Sequence, residues 1–311
     1  MRPRYLDAVR RAVVVAFAAS ALVLAAPAVA RASYPWPLKP FTRAHPVRGY
    51  FNDPRLEFDG DELQSAFHFG IDISAPDGAD VYAVTGGVVS RHADYVTVTT
   101  PDGRDFGYWH VDPVVEQGQP VGEGALLGQV RPGWSHVHFA ESRNGVYVNP
   151  LRPGALSPYT DTTSPTVAAV TISRGGKPVN AANVAGVVNL TCDAYDIPPL
   201  RPPPPWRDAR VTPALIRWRI LRASGRPASR WKTAVDFRFT LKPSALFNLV
   251  YAPGTKQNRA NRPGRYVFYL KAGWSSRKLP NGDYRLKVGA WDNRGNSAFG
   301  TLPFTIANPA R

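Results

Sequence analysis

The stretch Ser135-His136-Val137-His138-Phe139 places two histidines one residue apart, with apolar residues between and after them. This alternation is typical of a β-strand. Side chains alternate faces along a strand, so we expect His136 and His138 to point the same way. Two imidazoles on one face can share a metal ion, or one can hold the metal while the other handles a proton. Taken alone, the pattern is equally typical of a half-exposed strand that happens to carry two histidines.

The composition indicates a chain of one or two domains rich in turns. The chain has 311 residues, including 31 prolines and 26 glycines, which favours short strands over long helices. Its one cysteine, Cys192, excludes an internal disulfide. Stability must therefore come from packing, with a bound metal as a further contribution.

The N-terminus is predicted to be a signal peptide over residues 1–32. Four arginines within residues 2–11 precede an apolar run over 12–26, and two small-x-small cleavage sites follow, after Ala30 and after Ala32. The run is short for a spanning helix, so we expect cleavage, with no stable membrane span afterwards. The predicted location is secreted or cell-wall-associated.

The net charge of +15 indicates which kinds of molecule the protein would attract as binding partners. A basic exported protein meets anionic wall polymers and lipid headgroups first, so we expect no nucleic-acid partner. A role in solubility alone explains the charge equally well.

Turn signals and composition divide the rest of the chain into four parts. Residues 33–46 are expected to form an extended connector, rich in proline and aromatic residues. Residues 47–152 read as short, mainly antiparallel strands, apart from an acidic, polar loop over 52–62. Residues 153–165 form a Pro/Ser/Thr linker, which marks a domain boundary.

The last part, residues 166–311, has about seven segments that alternate apolar and polar residues, which predicts a β-sandwich. The sequence Ala290-Trp291-Asp292-Asn293-Arg294-Gly295-Asn296 resembles bacterial immunoglobulin-like modules. That resemblance indicates a fold and says almost nothing about function. The predicted fold class of the whole chain is therefore all-β.

All six histidines lie at or before His138. Five of them fall within residues 47–152, and four of these lie in its β-rich segments, whereas His92 is most simply a surface residue. Asp72 follows His68 by four residues in a segment with Gly70 between them, which favours an irregular extended conformation over a helix. Histidines grouped with one carboxylate are typical of a zinc site. The four histidines are His68, His110, His136 and His138.

The patterns His68-x-Gly70-x-Asp72, Tyr108-x-His110 and His136-x-His138-Phe139 resemble the lysostaphin/LytM-type zinc endopeptidases of the bacterial cell wall. Flanking segments such as Val148-Asn149-Pro150 resemble the same family, and the resemblance covers roughly residues 46–152. In two places the sequence departs from the family. The loop at 131–135 is short, and Ala140 stands where the family usually has Glu, with Glu141 following.

The resemblance implies that His68, Asp72 and His138 bind Zn²⁺ and that His110 and His136 are the catalytic histidines. Three protein ligands leave a fourth position for water, whose pKa zinc lowers to ~7. A neighbouring histidine can then transfer protons. The implied function is hydrolysis of peptide cross-links in peptidoglycan, with the peptide stems as partners and anionic wall polymers as further candidates.

Three alternatives remain open on the sequence. The site could be a structural zinc site without turnover. The protein could be a non-enzymatic cell-wall binder that regulates another murein hydrolase. It could also be a zinc endopeptidase with a protein substrate.

Overall fold

The computed structural model describes residues 33–59 and 62–310. The predicted signal peptide lies outside the described residues. Among the helices in the described part of the chain, none is both long and apolar enough to cross a membrane.

Within the residues that the structure describes, the first half of the chain contains thirteen strands. They are β1 (Val47–Gly49), β2 (Pro54–Asp59), β3 (Glu62–Phe67), β4 (Ile71–Ser74), β5 (Asp80–Tyr82), β6 (Gly87–Arg91), β7 (Tyr95–Thr99), β8 (Arg104–Trp109), β9 (Val111–Pro113), β10 (Pro120–Val121), β11 (Leu126–Val130), β12 (His136–Arg143) and β13 (Val146–Val148).

The second half contains eight strands and three short helical turns. The strands are β14 (Thr166–Arg174), β15 (Lys177–Pro178), β16 (Val187–Tyr195), β17 (Leu215–Arg222), β18 (Lys232–Asp236), β19 (Val267–Ser275), β20 (Gly282–Trp291) and β21 (Ser297–Ile306). The helical turns are two 3₁₀ turns (Ser244–Leu246 and Ser276–Lys278) and α1 (Phe247–Val250). The all-β class predicted from the sequence is confirmed.

The main sheet of the first half has the order β1-β4-β12-β8-β7-β6-β10, with β13 paired to β12. Its paired strands run antiparallel. A second, three-stranded sheet has the order β5-β11-β9. Apolar side chains from both sheets, such as Ile71, Val81 and Leu127, belong to one buried cluster. This core gives the strands of the main sheet a rigid backing.

One local prediction is wrong. The acidic segment 52–62, expected to be a loop, forms most of a hairpin in which β2 pairs with β3 from Pro54↔Phe67 to Asp59↔Glu62. Its charged residues have low strand propensity, so periodicity gave no signal there.

The second half consists of two four-stranded sheets, β15-β14-β16-β19 and β18-β17-β20-β21. Residues from both, including Cys192 and Trp218, form a single apolar cluster, as a sandwich requires. The alternating apolar residues Val235, Phe237, Phe239 and Leu241 predict a strand to residue 241, but β18 already ends at Asp236. The immunoglobulin-like assignment stays a resemblance.

The two halves share buried contacts. Val211 belongs to the core of the first half, and Phe67 belongs to the core of the sandwich. The buried Asp53 carboxylate accepts hydrogen bonds from the backbone N–H and the hydroxyl of Thr212, at 2.9 and 2.7 Å. These contacts bring the loops before β17 against the first half, where the candidate site lies.

Residues of the predicted connector and linker also enter the core. Trp36 is fully buried and donates its indole N–H to the carbonyl of Pro158 at 2.7 Å. Glu141, the residue after Ala140, is fully buried and accepts hydrogen bonds from Arg152 and from the hydroxyl of Tyr34. Its carboxylate therefore ties β12 to the connector and to the segment just before the linker, away from the histidine-bearing end of the strand.

Candidate metal centre

The candidate site begins with the pairing of β4 and β12. These strands run antiparallel with His138 opposite Asp72 and His136 opposite Ser74. The two histidines share a face of the sheet, as alternation predicts, and both ring edges approach Asp72. Asp72 Oδ1 lies 3.2 Å from His138 Nδ1 and 3.5 Å from His136 Nε2.

Three donor atoms converge from different elements. His68 Nε2 lies 2.8 Å from His138 Nδ1 and 3.1 Å from Asp72 Oδ1. With the 3.2 Å between His138 and Asp72, these separations form a nearly equilateral triangle. Two ligands bound tetrahedrally to zinc at 2.0–2.1 Å would lie about 3.3 Å apart. The triangle therefore fits one face of a zinc tetrahedron, and the two-imidazole, one-carboxylate set suits this metal.

The tautomer of His68 is set by its neighbour. His68 follows the end of β3, and its Nδ1 lies 2.8 Å from the carbonyl oxygen of Tyr50. A carbonyl can only accept, so Nδ1 carries the proton and Nε2 keeps its lone pair for a metal. This is the outer-ligand arrangement usual for metal-binding histidines. Burial lowers the pKa of His68, which keeps the ring neutral and able to ligate.

Gly70 allows the ligands to come together. A Cβ at this position would lie 2.4 Å from the carbonyl oxygen of Phe139 and 2.8 Å from His138 Nε2. No side chain fits there unless β12 or the imidazole moves. The glycine between His68 and Asp72 thus has a steric role.

Asp72 is held by a residue that the sequence did not point to. Arg55 on β2 donates to Asp72 Oδ2 at 2.6 Å, which leaves Oδ1 facing the histidines. Burial alone would raise the pKa of Asp72, but its electrostatic interactions with His68 and with the Arg55 guanidinium outweigh burial and hold that pKa well below its usual range. The carboxylate is therefore ionised at neutral pH.

His138 is enclosed by aromatic rings. Phe69 lies 4.3 Å and Trp109 5.2 Å from it, measured between ring centroids. Burial is the first cause that lowers the pKa of His138 to about 3, so the ring is neutral at physiological pH. This packing restricts the rotation of the imidazole.

His136 has two polar neighbours at the same nitrogen. Its Nδ1 lies 2.7 Å from the carbonyl oxygen of Trp134 and 2.7 Å from a guanidinium nitrogen of Arg48. The carbonyl selects the tautomer protonated on Nδ1, whereas Arg48 selects the opposite one. Arg48 also donates to the Trp134 carbonyl at 3.1 Å. With Nδ1 protonated, Nε2 faces the site with its lone pair.

His110 sits at a kink that the sequence did not predict. It follows Tyr108 by two residues in the sequence, but β8 ends at Trp109 and His110 has a φ of 63° in the left-handed region. Such a backbone is rare for a residue other than glycine and is found at functional sites. The kink turns the chain from the main sheet into β9.

The kink brings the His110 ring over Trp134, with centroids 3.5 Å apart and an interplanar angle of 11°. The ring lies 4.7 Å from that of His136. Burial first, and then His136 and His138, lower the pKa of His110 to about 3. His110 is therefore a neutral imidazole held flat beside the other histidines.

The short loop that carries Trp134 is anchored by Asp77. Its carboxylate accepts hydrogen bonds from the backbone N–H groups of Gly133 and Ser135, at 2.7 and 2.8 Å. In the sequence, Pro76-Asp77-Gly78 is typical of a turn and indicates no role in the site. In the structure, Asp77 fixes the loop whose Trp134 stacks on His110 and accepts a hydrogen bond from His136.

The predicted ligands and both predicted catalytic histidines line one cavity of about 490 Å³. Part of its wall comes from the sandwich half of the chain, through Trp206, Gln257 and Asn258. Arg48 links the two sides, because its guanidinium carbon lies 4.3 Å from the centroid of the Trp206 ring. No sequence signal connected these distant residues with the histidines.

Antiparallel strands that present a His/Asp/His set, with two more histidines beside it, form a candidate metal centre of the kind that metallopeptidases use. The family comparison agrees with this class. Residues 66–150 match the model of peptidase family M23. The match falls within the segment that resembles the lysostaphin/LytM type and confirms that resemblance for residues 66–150.

Solved structures show partial likeness. A zinc-containing peptidase from Vibrio cholerae is 25% identical with a TM-score of 0.31, over 38% of this chain and 39% of that one. A mutant catalytic domain of EnpA, a prophage-encoded M23 protein from Enterococcus faecalis, is 28% identical with a TM-score of 0.26. The match covers 33% of this chain and 92% of that one. A chain of the SpoIIQ–SpoIIIAH pore-forming complex is 22% identical with a TM-score of 0.33, and the match covers 39% of this chain and 89% of that one. No curated protein matches the chain significantly.

The steric role of Gly70 yields a prediction about metal affinity. We expect Gly70→Ala to weaken zinc binding at least about tenfold, because the added methyl group displaces His138 from the ligand triangle. Affinity is measured by competition with a coloured chelator. Gly122→Ala is the matched control, since nothing lies within 4 Å of a Cβ there. Equal affinities in the two variants would contradict the steric role.

Proposed function

We propose that the protein is an exported zinc metalloendopeptidase that hydrolyses peptide cross-links of bacterial peptidoglycan. One observation carries the proposal. His68, Asp72 and His138 present three ligand atoms in a cavity that also contains two further imidazoles. A purely structural zinc site uses four protein ligands. The only cysteine, Cys192, is buried in the sandwich core and supplies no sulfur ligand here.

His68, Asp72 and His138 would hold the zinc. When bound, zinc acts as a Lewis acid that polarises a substrate carbonyl and lowers the pKa of a bound water. The chain prepares these ligands with the bonds described above, to the Tyr50 carbonyl and to Arg55. Both bonds fix the orientation of a ligand before any metal arrives, which reduces the reorganisation that binding requires.

His136 is placed to act as general base and then general acid. In the tautomer that the Trp134 carbonyl selects, which is protonated on Nδ1, its Nε2 faces the ligand triangle with a lone pair, 3.5 Å from Asp72 Oδ1. This nitrogen can accept a proton from the attacking water and deliver it to the leaving amine. No covalent intermediate with the protein is needed.

His110 is placed to stabilise negative charge on the substrate oxygen. Its low pKa keeps the ring neutral, with one N–H available as a donor. Stacking on Trp134 fixes the ring plane, so a hydrogen bond to the developing oxyanion requires little reorganisation.

The charge of the groove supports an anionic peptide as substrate. Arg48 and Arg55 both line the cavity. Peptidoglycan stems carry free carboxylates, which such guanidinium groups can attract. The predicted signal peptide and the net charge of +15 agree with a cell-wall location.

The experiment that tests the function is a digest of purified, cross-linked peptidoglycan, read by mass spectrometry. We expect the wild type to convert cross-linked dimers to monomers and to stop when a chelator is added. His138→Ala should lose both zinc and activity. His136→Ala should keep its zinc and slow turnover roughly 100- to 10,000-fold, because only proton transfer is removed.

His92→Ala, at an exposed histidine of the same half, is the matched control and should change neither quantity. Equal zinc loss in His136→Ala and His138→Ala would contradict the assigned roles. A folded, zinc-loaded wild type that leaves the dimers intact would favour the non-enzymatic binder. Cleavage of soluble proteins in place of peptidoglycan would favour a protein substrate.

The groove wall from the sandwich yields a second prediction. We expect Trp206→Ala to raise KM for soluble cross-linked muropeptides about tenfold with a smaller change in kcat, because Trp206 lines the groove without reaching the ligands. Trp231→Ala, at a tryptophan packed on Trp291 in the sandwich, should leave KM unchanged. A loss of kcat at constant KM in Trp206→Ala would assign this residue to catalysis instead.

A further inference from the structure

A second cluster of acidic side chains lies outside the zinc site. Asp161, Asp196 and Asp292 are each at least nine-tenths buried, and one carboxylate oxygen from each lies within 4.8 Å of the others. They come from three separate places: the linker segment, the end of β16 and the end of β20. None of them takes part in the M23 chemistry.

The three carboxylates have few partners for their charge. In the described residues, the Arg and Lys ion pairs all involve other carboxylates. Arg294 lies two residues after Asp292 in the sequence, but its guanidinium donates to the backbone carbonyls of Tyr159 and Leu151 and forms no ion pair with Asp292 in the described residues. Several mutually close, buried negative charges without a cation are unfavourable.

Four of the six carboxylate oxygens accept hydrogen bonds from donors in the described residues, whereas Asp161 Oδ2 and Asp196 Oδ2 do not. Asp292 accepts from the N–H groups of Arg294 and Asn296, and Asp161 accepts from Thr163. Asp196 is 1% exposed, and its Oδ1 accepts the N–H of Ile197 at 2.8 Å. Its Oδ2 is buried with no partner among the described residues. An unsatisfied buried oxygen beside two other carboxylates points to a missing positive ligand.

We propose that Asp161, Asp196 and Asp292 bind a structural Ca²⁺ ion that joins the linker to the end of the sandwich. The donor set is oxygen only, which suits a hard cation and not zinc. Two oxygens on opposite sides of Ca²⁺, with bonds of 2.3–2.6 Å, lie up to about 5 Å apart, so the three atoms fit around one ion. Waters or backbone carbonyls complete such a sphere.

The cluster is held in place by the elements around it. Asn296 Nδ2 donates both to Asp292 Oδ2 at 2.6 Å and to the backbone carbonyl of Asp161 at 2.8 Å. The backbone of Asp196 exchanges two hydrogen bonds with Val211. Burial is the main cause that raises the pKa of Asp196, and the nearby Asp161 and Asp292 raise it further, to about 8. A bound cation would offset both the burial of the negative charge and the repulsion between the carboxylates, whereas a bound proton is the alternative.

The test is a calcium titration of the zinc-saturated full chain. At 100 times the dissociation constant, we expect Ca²⁺ to raise the melting temperature by about 5 °C, and terbium luminescence to report one site that Ca²⁺ competes for. Asp196→Asn should lose both signals. Asp283→Asn, at an exposed carboxylate on β20, should keep both, and so should His138→Ala.

The wild-type titration decides the outcome even if Asp196→Asn does not fold, and Asp161→Asn is the second variant for that case. A wild type that neither binds terbium nor responds to Ca²⁺ would overturn the proposal in favour of a shared proton. A response to Mg²⁺ alone would overturn the choice of Ca²⁺. Loss of the response in His138→Ala would assign the effect to the zinc site.

Discussion

The antiparallel register between β4 and β12 is the constraint on which the rest of the site depends. It places His138 opposite Asp72, and strand alternation then places His136 on the same face. A slip of one residue would turn both histidines into the other face of the sheet. The buried residues Ile71, Ile73, Val137 and Phe139 prevent that slip, because each would have to leave the core.

Close approach of the ligands is the second requirement, and it explains residues that carry no chemistry. Gly70 leaves space for the His138 ring and for the Phe139 carbonyl. Gly49 does the same beside Asp72, since a Cβ there would lie 2.5 Å from Asp72 Oδ2. Arg55 uses this space to bind the carboxylate. These two glycines thus allow a compact set of donors, which a small, tightly bound ion requires.

How far the site could be predicted from the sequence depends on the range of the interactions. The strands, the shared face of His136 and His138 and the all-β class follow from local alternation. The convergence of His68, Asp72, His110, His136 and His138 on one cavity was anticipated only through the resemblance to the family. Arg55, in a segment expected to be a loop, gave no local signal. The kink at His110 depends on the path into a second sheet, and Trp206 comes from a part of the chain 68 positions beyond His138 in the sequence.

The sandwich contributes to the groove through Trp206, Gln257 and Asn258, so the two halves of the chain are coupled at the site. Zinc binding by the three ligands can be tested directly. The measurement is anomalous diffraction at the zinc absorption edge, from crystals of the zinc-loaded protein. We expect one peak bonded to His68 Nε2, Asp72 Oδ1 and His138 Nδ1, with His136 nearby and not bonded. A peak elsewhere, or one bonded to His136 in place of His138, would contradict it.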